Sequence, residues 1–201
     1  MAVAGRTGGA RVSAVERRIL AAAVRLFAER GFDGTSVQEI VDRAQVTKGG
    51  LYHYFGSKQD LLYEIYHALI GRQLADLDRI LAAGLDPAAT VRAVIGALVE
   101  STAEHIDEAQ VFAREMYKLD EEHRAAVRAD RRRYHTAFRD LIEQGQRDGV
   151  FAPVAPAETV TLIVFGMINE MPRWYRAEGP KPAARFADEV ADFVLAALRP
   201  R

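Results

Sequence analysis

The side chains best suited to chemistry lie together between positions 35 and 63, where the chain reads TSVQEIVDRAQVTKGGLYHYFGSKQDLLY. Thr35, Ser36 and Thr47 supply hydroxyls. Lys48 supplies a cation and is followed by two residues without bulk, Gly49 and Gly50. Tyr52, His53 and Tyr54 form an aromatic–imidazole–aromatic group, and Lys58 adds a second cation. Such groups suit phosphate oxygens and base edges better than bond making or breaking. Catalytic groupings are missing elsewhere. The five histidines (53, 67, 105, 123 and 135) are scattered, and no nucleophile elbow or phosphate-binding glycine loop occurs. Glu121-Glu122-His123 resembles a metal motif only superficially, because adjacent residues on a helix point apart. The absence of cysteine excludes disulfides, thiolate zinc and cysteine nucleophiles. The expectation is a binding protein rather than an enzyme, with no cofactor and no metal.

Helices must position these groups, and the sequence marks where they begin. Ser13-x-x-Glu16, Ser36-x-x-Glu39 and Ser57-x-x-Asp60 are capping boxes, in which a hydroxyl and a carboxylate satisfy each other's free backbone donors. Val15, Ile19, Ala22, Leu26 and Phe27 follow the first at helical spacing, and Gly31 ends that helix. Val37, Ile40, Val41 and Ala44 follow the second. Thr47 caps a third helix with Leu51 and Phe55 inward, and a longer fourth helix carries Leu61, Leu62, Ile65, Leu69, Leu77 and Leu81. The second and third helices with their tight turn make a helix-turn-helix. Beyond Gly84, Asp86-Pro87 opens a fifth helix, and further helices are expected near 108–119, 121–147, 157–176 and 183–198. No strand-type alternation or repeat is present. The fold class is all-α with about nine helices: a disordered arm over 1–12, a helix-turn-helix domain over 13–60, and a ligand-binding and dimerisation domain over 61–201.

Composition agrees. Hydrophobic residues make up 49% of the 201, enough for a sizeable core. Residues 1–60 hold nine Lys or Arg against six Asp or Glu, while the remainder holds 18 against 22. That asymmetry fits a basic DNA-reading head on an acidic body despite a net charge of −1. No apolar run approaches the ~20 residues that span a bilayer, and the N-terminus lacks a signal-peptide core. A cytoplasmic protein with no membrane partner is expected.

In the body, the inward row of helix 121–147 is Val127, Arg131, Tyr134, Phe138, Leu141 and Gly145, so Arg131 interrupts an apolar stripe. A buried arginine needs an anionic partner, since burying it alone costs several kcal/mol. That partner is either Glu115 or Glu104 in a structural ion pair, or the carboxylate, thioester or phosphate of a ligand. Helix 157–176 is apolar nearly all round, with Leu162, Phe165 and Asn169 opposite Val160, Ile163, Val164, Met167, Ile168 and Met171. It must therefore be covered all round, by the core on one side and a partner subunit on the other. With helix 183–198 it would form a four-helix interface about a two-fold axis. Phe112, Met116, Tyr134, Phe138, Phe165, Asn169 and Trp174 are expected to line an adaptable pocket with Arg131 at one end. Pro172 should turn Arg173 and Trp174 toward its mouth or the interface.

At GTSVQEIVDRAQVTKGGLYHYFGSKQDLL, and at AAAVRLFAERGFDGTSV before it, the chain closely resembles the TetR family of bacterial transcriptional regulators. The resemblance implies a homodimeric repressor with two helix-turn-helix heads. These would read a roughly palindromic double-stranded operator and be released by a small hydrophobic effector. It places Thr35 and Ser36 on the DNA backbone, Thr47 against a phosphate, Lys48 and Gly49 at base edges, and Tyr52, His53 and Tyr54 over backbone and bases. Lys58 would complete a phosphate clamp. Arg173-Trp174-Tyr175-Arg176 with Gly179-Pro180 looks like a subgroup that represses fatty-acid or steroid catabolism and responds to acyl-CoA thioesters. The alternatives are packing tyrosines with a solvated Lys58, hence a signalling adaptor without DNA binding, or an activator on the same fold.

Overall fold

The computed structural model describes residues 13–200, and among these there are nine α-helices, one 3-10 turn and no strand. The arm expected over 1–12 lies outside the described residues. The helices are α1 (Ala14–Arg30), α2 (Val37–Ala44), α3 (Lys48–Tyr54), α4 (Lys58–Ala82), α5 (Pro87–Glu104), α6 (Ile106–Glu115), α7 (Glu121–Arg147), α8 (Ala157–Trp174) and α9 (Ala183–Ala197). The helix expected near 108–119 is shorter and ends in the 3-10 turn Met116–Lys118, which delivers Leu119 to the core. No helix among the described residues is long and apolar enough to cross a membrane.

The caps form where the sequence places them. Ser13 accepts from the Glu16 N–H and Ser36 from the Glu39 N–H, each with the reciprocal carboxylate bond. The third box is half a box. Ser57 accepts from the Asp60 N–H, but the Asp60 carboxylate takes the Gly56 N–H and the Ser57 hydroxyl. Each such cap contributes about 0.5–2 kcal/mol, which matters most for the eight-residue α2 and seven-residue α3.

One core runs from Ile19 in α1 through Ile40, Leu51 and Leu61 to Val94, Phe138, Ile168 and Val194. The head and body are therefore not joined by a linker. α4 crosses the boundary unbroken, and the fully buried Tyr66 donates its hydroxyl to the Val111 carbonyl of α6. Leu81, at the far end of α4, is 41% exposed rather than inward. α9 packs along α5, where Arg92 pairs with Asp192. At Gly145 a Cβ would lie 2.2 Å from the Phe151 ring, so only glycine lets that ring close the end of α7.

Candidate functional site

α3 is held by its ends. The Thr47 hydroxyl accepts from the Gly50 N–H at 3.0 Å, while Leu51 and the following Phe55 are buried. This anchoring leaves Lys48, Gly49, Tyr52 and His53 on one exposed face at the i, i+1, i+4 and i+5 positions. Thr47 and, at the start of α2, Ser36 are exposed as well. Tyr54 is half-buried, its ring meeting His53 edge-on at 4.9 Å and leaning on Phe55. The sequence-expected reading group is thus brought together as an outward surface with a lysine, an imidazole and a half-exposed phenol.

Two expectations for the head are corrected. Thr35 is only 1% exposed, and its hydroxyl donates to the carbonyls of Gly31 (2.9 Å) and Leu26 (3.3 Å). It caps the end of α1 from below and has no hydroxyl to offer a phosphate. Lys58 is neither a free clamp nor merely solvated. Its ammonium donates to the carbonyls of Phe32 (2.8 Å) and Thr35 (2.9 Å) and lies 4.2 Å over the Phe32 ring. Burial pushes its pKa down. Lys58 ties the α1–α2 turn to the first residue of α4.

The body holds a cavity of about 230 Å³ between α4, α5, α6, α7 and α8. Leu69, Ile70 and Leu98 form an apolar wall, with Phe112 and Met116 along one side and Phe165 and Ile168 along another. Arg131, Tyr134, Asn169 and Arg173 bring polar atoms to it. Of the expected lining, Phe112, Met116, Arg131, Tyr134, Phe165 and Asn169 are therefore assembled. Phe138 is not, being buried behind Phe165 with ring centroids 5.4 Å apart. Trp174 is not either. One step past Arg173 turns it about 100° round the helix, and it stands 50% exposed against Phe186 of α9 at 5.2 Å. Gln73 and His135 line the cavity and were missed, although they lie four residues beyond Leu69 and Arg131 on the same helix faces. The His135 ring stacks on Phe165 at 4.2 Å, and burial, then the Arg131 charge, lowers its pKa.

The expected structural ion pair of Arg131 is absent among the described residues. Its guanidinium meets the Met116 sulfur at 3.8 Å and lies 5.0 Å over the Phe112 ring. Burial alone pushes its pKa down, yet it stays charged. Glu104 is exposed. Glu115 is buried, but at the far side of α6, where a Cβ on Gly31 would lie 3.1 Å from its carboxylate. That glycine also has φ +77°, so both backbone and space exclude a side chain.

This far side of α6 faces the head. Arg114 donates to the carbonyls of Phe27 and Ala28, and Lys118 pairs with Asp33. Cations from α4, α6 and the 3-10 turn thus all engage the negative end of α1 or the turn that follows it. On the outside of the body, Leu162 (55% exposed) and Ile163 (59%) of α8 and Phe193 (68%) of α9 are large apolar side chains left uncovered.

Comparison with known proteins agrees with this layout. Residues 19–65 match the model of bacterial regulatory proteins of the tetR family, and residues 84–198 match that of the tetracyclin repressor-like C-terminal domain. The chain is 32% identical over 188 residues to the HTH-type transcriptional repressor KstR2 of Rhodococcus jostii, covering 90% of this chain and 89% of the relative. Among solved structures it resembles the TetR family regulator PfmR from Thermus thermophilus (TM-score 0.83, 30% identity, 91% of this chain and all of the other). It also resembles AibR in complex with isovaleryl coenzyme A and operator DNA (TM-score 0.77, 26% identity, 92% and 97% covered). The chain belongs to the TetR family of bacterial regulators, with its helix-turn-helix in α2 and α3 and its family C-terminal domain behind it.

Proposed function

We propose that this protein is a homodimeric repressor that holds a palindromic operator and lets it go when an amphipathic ligand enters the body cavity. The observation that carries the reading is the double role of α6 and its 3-10 turn. Phe112 and Met116 line the cavity, while Arg114 and Lys118, from the same short stretch, grip the end of α1 and the adjoining turn. A ligand that shifts this stretch by even a fraction of an ångström acts on the base of the head, because packed elements do not deform continuously. Two heads fit half-sites only at a spacing near one helical turn, ~34 Å.

The exposed apolar side chains of α8 and α9 support two-fold pairing, since Leu162, Ile163 and Phe193 would be covered by a second copy of the chain. DNA contacts rest on Ser36, Thr47, Lys48, Gly49, Tyr52, His53 and Tyr54. The ligand has an apolar body and an oxygen-bearing head. An acyl-CoA thioester is one member of that class, and it is supported by the likeness to AibR, solved with isovaleryl coenzyme A and operator DNA. Selecting bound fragments from random DNA tests the head directly. A palindromic consensus with two half-sites is expected, and Lys48→Ala should alter base preference rather than only affinity. A monomer by light scattering at micromolar concentration, or no sequence preference, refutes the proposal.

A further inference from the structure

Arg131 differs from the other arginines of α7. Arg124 and Arg128 pair with Glu121, Arg133 with Asp78, Arg139 with Asp140 and Arg147 with Glu143. Arg132 is exposed. Arg131 is half-buried and has only a thioether and the face of a ring as partners. A charge-assisted hydrogen bond is stronger than a cation over a ring, and a carboxylate takes two such bonds from one guanidinium. Its present partners are therefore ones that an anionic oxygen in the same cavity displaces.

A second donor waits beside it. Tyr134 is only 5% exposed and lines the cavity, and its hydroxyl has no hydrogen-bond partner among the described residues. At three residues from Arg131 it shares the same helix face. The two displaceable contacts of Arg131 both lie on the stretch that grips the head, Phe112 in α6 and Met116 in the turn after it.

We infer that Arg131 is a two-position switch: without ligand it tethers α7 to Phe112 and Met116, and a ligand carboxylate draws it into the cavity, joined by the Tyr134 hydroxyl, and so loosens the α6 stretch that clamps α1. The inference rests on the proposed function and adds the trigger and the ligand class, an anion whose charged head is read inside the cavity. It differs from a plain anchor, which would raise ligand affinity equally in the DNA-bound and free protein and release nothing.

The test measures coupling, the ratio of a probe's dissociation constants for the protein–operator complex and for the free full-length protein. The probes are octanoate, octan-1-ol and octanoyl-CoA, and the operator is one selected by the wild-type protein. A ratio of at least about tenfold is expected for octanoate and close to one for octanol. The double variant Phe112→Leu, Met116→Leu keeps Arg131 and an apolar lining but removes its resting partners. In it the coupling should fall below about threefold and ligand-free operator affinity by a similar factor; because coupling is a ratio, any change that the two substitutions make to octanoate affinity itself cancels. Unchanged coupling in that variant overturns the switch and leaves Arg131 as an anchor. Equal release by octanoate and octanol overturns the anionic trigger. Octanoyl-CoA releasing operator while octanoate does not overturns the carboxylate assignment but leaves the proposed function standing. A wild type that binds none of the probes, or that holds no operator, overturns the proposed function and the switch with it.

Discussion

Replacing Lys58 with methionine separates two roles for the residue that make opposite predictions. Methionine keeps most of the apolar stem over Phe32 and removes only the ammonium. That ammonium donates at 2.8 and 2.9 Å to the carbonyls of Phe32 and Thr35, residues themselves only 7% and 1% exposed. A hydrogen bond to a charged group contributes about 1.5–3 kcal/mol net, and an acceptor left unpaired in a buried setting costs about 1–3. The two bonds share one donor group and Lys58 is partly hydrated, so they do not add in full, and a loss of about 2–3 kcal/mol is expected. For a chain of this size that lowers the melting temperature by roughly 5–10 °C. A phosphate clamp predicts something else: little change in melting, and a fall of about 0.9 per head in the slope of log affinity against log salt. A thermal melt beside an operator titration across a range of salt reads both. A lowered melt with an unchanged slope is the expected outcome. A wild-type melt with a reduced slope refutes the assignment of Lys58 to the α1–α2 turn.

Gly145→Ala places a methyl 2.2 Å from the Phe151 ring, so it should cost about 2–3 kcal/mol by overpacking. Chemical denaturation should show it, with operator affinity of the folded protein unchanged. His135 has its pKa lowered from 6.5 by burial and by Arg131, so the unfolded chain takes up a proton that the folded one resists. Its contribution is therefore intact above pH 6.5 and declines as pH falls below that value toward the lower folded pKa; melts from pH 7.5 to 5 should show the decline, and His135→Gln should flatten it. Leu162→Glu with Phe193→Glu puts charges on the uncovered α8–α9 surface, and light scattering should report a monomer that no longer holds operator.

The elements were readable because their signals are local. A serine and an acid three residues apart fix a helix start wherever the rest of the chain goes, and Ser13, Ser36 and Ser57 each did so. The outward face of α3 was readable for the same reason, since Leu51 and Phe55 left the other side free. What lay across from a residue was not readable. Helical spacing placed Arg131 on an inward stripe but could not say that Glu115 points the other way, toward Gly31. Thr35 and Lys58 look like a hydroxyl and a cation offered to DNA, and only the fold shows that backbone carbonyls take both. Those partners have no sequence signature, because every residue carries a carbonyl. Trp174 was misplaced by one residue's turn, and His135 was overlooked because its neighbour Tyr134 already filled the row.

The grip on the end of α1 bears on how such regulators can be recombined. A chimera cut at residue 60 would carry a head whose Phe27 and Ala28 carbonyls and Asp33 carboxylate lose Arg114 and Lys118, groups encoded more than fifty residues past the cut. The recipient body would have to supply equivalent cations at the same places, or the graft would arrive with a frayed base. The exchangeable unit in this protein is therefore discontinuous in sequence: residues 13–60 together with the short stretch 114–118. Transplanting both parts keeps the base of the head supported in a new body, whereas transplanting the first alone strips it of Arg114 and Lys118.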